Sequence, residues 1–123
     1  MRIFLDTSLL SDASLLRLSN EIVRHLLQND TFYESVISHF QIVWGYSIAG
    51  RSPIRYETFI RRTGIEIVPL TKSDAEAAAR SKPAKADLLD ALIAASVGRY
   101  DAVIWTADRD FLRFLPKDKV RLI

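Results

Sequence analysis

The stretch Ile3-Phe4-Leu5-Asp6-Thr7-Ser8-Leu9-Leu10 determines the fold more than any other part of the chain. Its short apolar run ends at three polar residues suited to closing a strand and capping a helix. Leu9, Leu10, Ala13 and Leu16 then recur at helical spacing. The segment therefore predicts a buried strand that leads directly into a helix.

The rest of the chain continues to alternate between strand and helix patterns. We predict further strands at 35–38, 65–68, 103–105 and 120–123, and helices at 20–28, 40–49, 54–62, 72–81 and 86–99. Gly50 and Gly64 are natural helix stops. This alternation is typical of an α/β fold in which helices cover both faces of a parallel sheet of four to five strands. We expect one domain over residues 1–123.

Composition narrows the chemistry. The chain has 123 residues and no cysteine, which excludes disulfides, thiolate metal sites and cysteine nucleophiles. No run approaches the ~18 consecutive apolar residues of a membrane span, and Asp6 interrupts the apolar core that a signal peptide would need. We therefore expect a cytoplasmic protein without a membrane segment. Most of the 17 basic residues are arginines. The planar guanidinium of arginine suits phosphate binding, although surface ion pairs explain the number of arginines equally well.

Four aspartates are placed where an α/β protein binds ligands. Asp6 follows the first predicted strand, and Asp108 and Asp110 follow the fourth. Ligands of open α/β sheets bind at the carboxyl ends of the strands. Asp90 lies on a predicted helix, on the same face as the apolar residues three, four and seven positions further on. Because an unpaired buried carboxylate is costly, Asp90 requires a base, hydrogen bonds, a raised pKa or a cation.

These acids together favour a hard divalent cation. Mg²⁺ and Mn²⁺ prefer oxygen ligands, and such a cation can activate water for hydrolysis of a phosphodiester. Taken singly, each acid after a strand is more often a turn former or helix cap. Asp87 is better explained as a solvated acid or as an acid at a helix N-terminus, which the helix dipole favours. Arg109, beside Asp108, is the basic residue that we most expect near a substrate.

Three motifs of the chain resemble the PIN domains, and among them the small VapC-type toxin ribonucleases. The motifs are the opening 3–10 segment, Asp90-Ala91-Leu92-Ile93-Ala94-Ala95, and Thr106-Ala107-Asp108-Arg109-Asp110-Phe111. Each alone is weakly specific, but their order and spacing across nearly the whole chain are strong. The resemblance implies a PIN-like three-layer α/β/α fold.

The resemblance also implies a Mg²⁺- or Mn²⁺-dependent endoribonuclease that acts on RNA, often as a homodimer, and that an antitoxin protein holds inactive. By position, Asp6, Asp90 and Asp108 would be the metal ligands. Asp110 would be a further ligand or an acid that contacts one. Ser8 and Thr106 would be polar groups near the substrate phosphate.

One departure from the family pattern is expected to matter. The family usually has a glutamate six residues beyond a serine that we match to Ser38, and this count reaches Trp44. Gln41 offers an amide nearby, whereas Glu34 is expected at the wrong end of the sheet. The alternative function is therefore a catalytically impaired module that binds RNA or protein. A haloacid-dehalogenase-like phosphatase is discounted because Ser8 occupies the position of its second aspartate.

Overall fold

A computed structural model describes residues 1–123, apart from the side chains of Ala13 and Leu16, so the predicted apolar spacing at those two positions lies outside the described residues. The five strands are β1 Arg2–Leu5, β2 Thr31–Ser35, β3 Glu66–Val68, β4 Val103–Thr106 and β5 Val120–Leu122. The helices are α1 Asp12–Leu26, α2 Val36–Ala49, α3 Ile54–Thr63, α4 Lys72–Arg80 and α5 Leu88–Arg99. Short 3-10 turns cover Thr7–Leu9, Lys85–Asp87, Arg109–Arg113 and Lys117–Lys119.

The strands form one parallel sheet in the order β3-β2-β1-β4-β5, which confirms the predicted α/β class. From the central β1 the chain builds outward through β2 and β3, and then returns to add β4 and β5 on the other side. The order thus reverses between β1 and β4. A crevice forms at the carboxyl ends of two strands where the order reverses, and this crevice is the usual ligand site of such sheets.

The side chains of β1 point alternately into two separate hydrophobic cores. Ile3 and Leu5 pack on one face of the sheet with α1 and α3, whereas Phe4 packs on the other with α5. Successive strand side chains point to opposite faces, so a continuous apolar strand is what a sheet covered on both sides requires. The apolar opening run is explained by this double burial.

Two predicted helices are merged into one, and one predicted strand is displaced. The predicted helices after Leu9 and at 20–28 are one helix, α1. The second strand covers Thr31–Ser35 and not 35–38. The reason is local: the Ser35 hydroxyl accepts a hydrogen bond from Ile37 N at 3.1 Å and caps α2, and this cap prevails over the strand preference of the β-branched residues that follow it.

The predicted helix stops are confirmed. Gly50 and Gly64 adopt left-handed backbone angles, with φ of 64° and 68°, at the ends of α2 and α3. Within the described residues, no helix has the length and apolar character needed to cross a membrane.

Candidate metal centre

Asp6 lies in the crevice between β1 and β4, directly after β1, and is 4% exposed. Its Oδ2 accepts hydrogen bonds from the Ser8 hydroxyl at 2.7 Å and the Thr106 hydroxyl at 2.7 Å. Ser8 N also donates to Oδ2, at 3.4 Å. No described residue donates to Oδ1. One oxygen of this buried carboxylate is therefore held in place, and the other has no protein donor.

Asp108 belongs to the same hydrogen-bonded network from the side of β4. Its backbone N–H donates to the Thr106 hydroxyl at 2.9 Å, and its Oδ1 accepts from Asp110 N at 2.9 Å. Ala107 N donates to the Ser8 hydroxyl at 3.0 Å. The structure thus brings together the ends of β1 and β4, although their residues are about 100 positions apart in the chain.

Asp90 is the most perturbed acid of the crevice. It is half-buried in the first turn of α5 and accepts no hydrogen bond from any described residue. Burial, together with the negative charges of Asp108, Asp6, Asp110 and Asp87, raises the pKa of Asp90 to about 6. Asp90 therefore faces the acids of both strand ends, without a base to balance it.

The tightest group of acids is not the predicted one. Carboxylate oxygens of Asp87, Asp90 and Asp110 lie within 4.8 Å of one another. Asp87 lies at the N-terminus of α5, as one of its two predicted roles requires, but it is buried at 8% exposure and not solvated. Arg113 Nη1 lies 3.0 Å from Asp87, and its Nη2 lies 3.5 Å from Asp110. Arg113 thus neutralises two of these acids and leaves Asp90 without a cation.

Because the second strand ends earlier than predicted, a different residue is compared with the family's glutamate. The serine at the junction of strand and helix is Ser35, so a count of six residues reaches Gln41 and not Trp44. Gln41 Oε1 accepts a hydrogen bond at 2.6 Å from the Thr7 hydroxyl, which adjoins Asp6. The assignment of Trp44 to this position is wrong, because its side chain is 57% exposed. Position 41, six residues beyond the serine that caps α2, therefore carries an amide and not an acid.

Glu34 is also placed differently from the prediction. It is the penultimate residue of β2, near the carboxyl edge of the sheet, and it is fully buried. Both of its carboxylate oxygens accept from the Tyr56 hydroxyl, at 2.6 and 2.8 Å, and His39 Nδ1 lies 2.7 Å from that hydroxyl. Burial raises the pKa of Glu34 to about 7. Its oxygens are thus engaged within the core.

The residues present fit a hard divalent cation. Asp6 Oδ1 and the Asp90 carboxylate have no described hydrogen-bond donor, and carboxylate oxygens are the ligands that Mg²⁺ and Mn²⁺ prefer. The Ser38 hydroxyl, fully buried one helical turn before Gln41, likewise has no partner within the described residues. A buried polar group without a partner requires an explanation, and an ordered water or ion is one of them. Arg109 is exposed, with no ion pair to a described residue.

The family comparison agrees with the geometry. A family model described as the PIN domain matches residues 3–114, which is most of the chain. No curated protein matches the chain closely enough to count as a relative.

Solved structures of toxin–antitoxin complexes share the fold. VapBC2 from Rickettsia felis, bound to a DNA fragment from its promoter, matches with a TM-score of 0.70 at 16% identity, over 99% of this chain and 98% of that one. VapBC-1 from nontypeable Haemophilus influenzae gives 0.66 at 16% identity over 99% and 98%. A toxin–antitoxin complex from Klebsiella pneumoniae gives 0.60 at 16% identity over 97% and 95%.

Proposed function

Because the chain belongs to the PIN-domain family, we propose that it is a Mg²⁺- or Mn²⁺-dependent endoribonuclease. The observation that carries this proposal is Asp90, a half-buried carboxylate that faces four other acids and has no base of its own. Such a group is costly in an empty site and is stabilised by a divalent cation. The substrate is RNA, and the reaction is hydrolysis of a phosphodiester bond.

Asp6, Asp90 and Asp108 would hold the cation. We prefer this set to the cluster of Asp87, Asp90 and Asp110 because Arg113 already neutralises the two outer members of that cluster. When bound, the cation would supply a Lewis acid for a phosphate oxygen and lower the pKa of a water. Asp110 supports Asp108 through its backbone N–H.

The other predicted site residues have separate roles in this proposal. The Ser8 and Thr106 hydroxyls both donate to Asp6 Oδ2, so they position this ligand and are not free to contact the phosphate. Arg109 is exposed at the start of the turn that Asp108 caps, and it would bind a phosphate of the RNA.

The toxin class brings partners and a location into the proposal. The structural neighbours are toxin–antitoxin complexes, which supports an antitoxin protein as the partner that keeps this chain inactive. We also propose that the chain acts in the cytoplasm and as a homodimer. Size-exclusion chromatography with light scattering, on the chain alone and after co-expression with the neighbouring reading frame, measures both assemblies.

Gln41 favours a second candidate function. An amide in place of the family's usual acid removes one negative charge from the site, and this loss weakens the attraction for a cation. The second candidate is therefore a module that binds RNA or protein without cutting it.

A cleavage assay separates the two candidates. Purified protein is incubated with labelled single-stranded RNA, with Mn²⁺ or with a chelator. The nuclease proposal expects Mn²⁺-dependent internal cleavage that is lost in Asp6→Asn and retained in Asp118→Asn, an exposed acid away from the crevice. RNA binding without cleavage at any Mn²⁺ concentration would contradict the nuclease and support the binding module.

A further inference from the structure

A second cleft adjoins the metal centre, between α1 and the edge strand β5. It has a volume of about 320 Å³. Two arginines, Arg17 from α1 and Arg121 from β5, line it, together with Ser14, Glu21 and Trp105. We call it the Arg17–Arg121 cleft. Its size is in the range of pockets that hold small ligands.

Two residues that line the cleft are chain neighbours of the donors that hold Asp6. Leu9, which lines it, belongs to the same 3-10 turn as Ser8. Trp105, which also lines it, directly precedes Thr106, whose carbonyl oxygen accepts from Ile123 N at 2.8 Å. The cleft therefore lies next to the crevice along the carboxyl edge of β4, where an RNA strand that extends from the metal centre across this edge would reach it.

The side chain of Arg121 is oriented by Trp105 and can bind an anion. It pairs in register with Trp105 on the α1 side of the sheet, and its guanidinium lies over the indole ring at 4.5 Å. Stacking on an aromatic face restrains the planar fork and leaves its N–H groups to bind a partner. No carboxylate of a described residue lies within ion-pair distance of Arg121 or Arg17. Among the described residues that line the cleft, Glu21 is the one acidic side chain, against two arginines.

We propose that the Arg17–Arg121 cleft binds the backbone phosphate of a nucleotide next to the scissile bond in single-stranded RNA. This inference rests on the proposed ribonuclease function and adds a substrate subsite to it. Arginine forks bind phosphate oxygens in a bidentate manner, and backbone contacts position a nucleic acid without reading its sequence. The cleft should therefore discriminate only weakly between RNA sequences.

The competing explanation is protection of the sheet edge. Charged residues that point inward on an edge strand prevent sheets from pairing with one another. That role requires Arg121 on β5, but it does not require Arg17 on a helix. It also predicts no effect of either arginine on RNA binding.

The test measures RNA binding apart from catalysis. Fluorescence anisotropy follows a labelled, mixed-sequence single-stranded RNA in chelator, at several salt concentrations. We expect Arg17→Gln and Arg121→Gln each to weaken binding about 5–10-fold and to reduce the salt dependence by about 0.7 in log–log slope per lost phosphate contact. Arg121→Lys keeps the charge and should keep the slope while losing part of the affinity.

Arg24→Gln is the matched control. Arg24 is exposed on the same helix, about 10 Å further from the crevice, and its loss should leave both affinity and slope near wild type. Thermal midpoints of all variants verify folding. In the cleavage assay the two cleft variants should raise KM and leave kcat nearly unchanged.

Three results would overturn the subsite. Wild-type affinity and slope in both cleft variants would leave edge protection as the role of Arg121. An equal loss in Arg24→Gln would indicate general electrostatic attraction. Either result, with Mn²⁺-dependent cleavage intact, leaves the nuclease standing. An absence of both RNA binding and cleavage in the wild-type protein would instead refute the proposed function, and the subsite with it.

Discussion

Replacing Asp90 by asparagine should stabilise the metal-free protein at neutral pH. The pKa of Asp90 is raised from 3.8 to about 6, so between pH 4 and 6 the folded state keeps a proton that the unfolded state has released. The free energy of unfolding therefore falls as the pH rises through this window. Asparagine removes the charge and, with it, this loss.

The expected magnitude follows from the shift. Each pKa unit corresponds to 1.36 kcal/mol, so the full shift would be worth about 3 kcal/mol. Asp90 is half-buried, and solvent screens part of the repulsion, so we expect Asp90→Asn to gain about 1–2 kcal/mol at pH 7. The gain should shrink as the pH falls towards the ordinary pKa of 3.8 and vanish well below it, where wild-type Asp90 is protonated in both states.

Mn²⁺ should reverse the order of stability. A cation that binds only the folded protein contributes about 2.7 kcal/mol at 100 times its Kd, and Asp90→Asn should lose most of this gain. Urea unfolding from pH 4.0 to 7.5, in chelator and in Mn²⁺, measures both effects, with Asp118→Asn as the control. A variant less stable than wild type in chelator at pH 7, or one fully stabilised by Mn²⁺, would refute the reasoning.

Further substitutions test the Mn²⁺ affinity of the site and the stability of the fold. Gln41→Glu restores a carboxylate beside Asp6 and should tighten Mn²⁺ binding on the order of 10–100-fold in isothermal titration calorimetry; an unchanged Kd would exclude position 41 from the site. Arg113→Gln should also tighten Mn²⁺ binding, by up to about tenfold, because the guanidinium no longer neutralises two acids; weaker binding would mean that Arg113 supports the site. Glu34→Gln should stabilise the metal-free protein by about 2 kcal/mol at pH 8 and hardly at all at pH 4, because burial raises the pKa of this acid to about 7; equal urea midpoints at pH 8 would contradict this. Gly50→Ala should cost about 1 kcal/mol, because φ is 64° there, and a thermal midpoint equal to wild type would show that the helix end relaxes.

The opening segment illustrates what could be predicted from sequence. An apolar run that ends at Asp6 is a local signal, and so is an acid on the apolar face of α5 at Asp90. The topology rule then places acids that follow strands at one edge of the sheet. The fold class and the gathering of acids around Asp90 follow from these signals alone.

The errors come from contacts that local patterns do not contain. The β-branched pair after Ser35 resembles a strand, but the Ser35 cap begins a helix there, and the shift of three residues moved the expected acid to Trp44. The ion pair of the buried Asp87 involves Arg113, which lies 26 residues away in the chain, so local patterns do not reveal it. Hydrogen bonds to Asp6 from Thr106, 100 residues distant, are equally invisible in the sequence.

The position of a bound Mn²⁺ ion would show directly whether Asp6, Asp90 and Asp108 hold the cation. The anomalous scattering of crystals grown with Mn²⁺ locates the ion independently of any assumed ligand. We predict one peak, coordinated by carboxylate oxygens of Asp6, Asp90 and Asp108. A peak held by Asp87 and Asp110 without Asp6, or no peak in the crevice at saturating Mn²⁺, would contradict it.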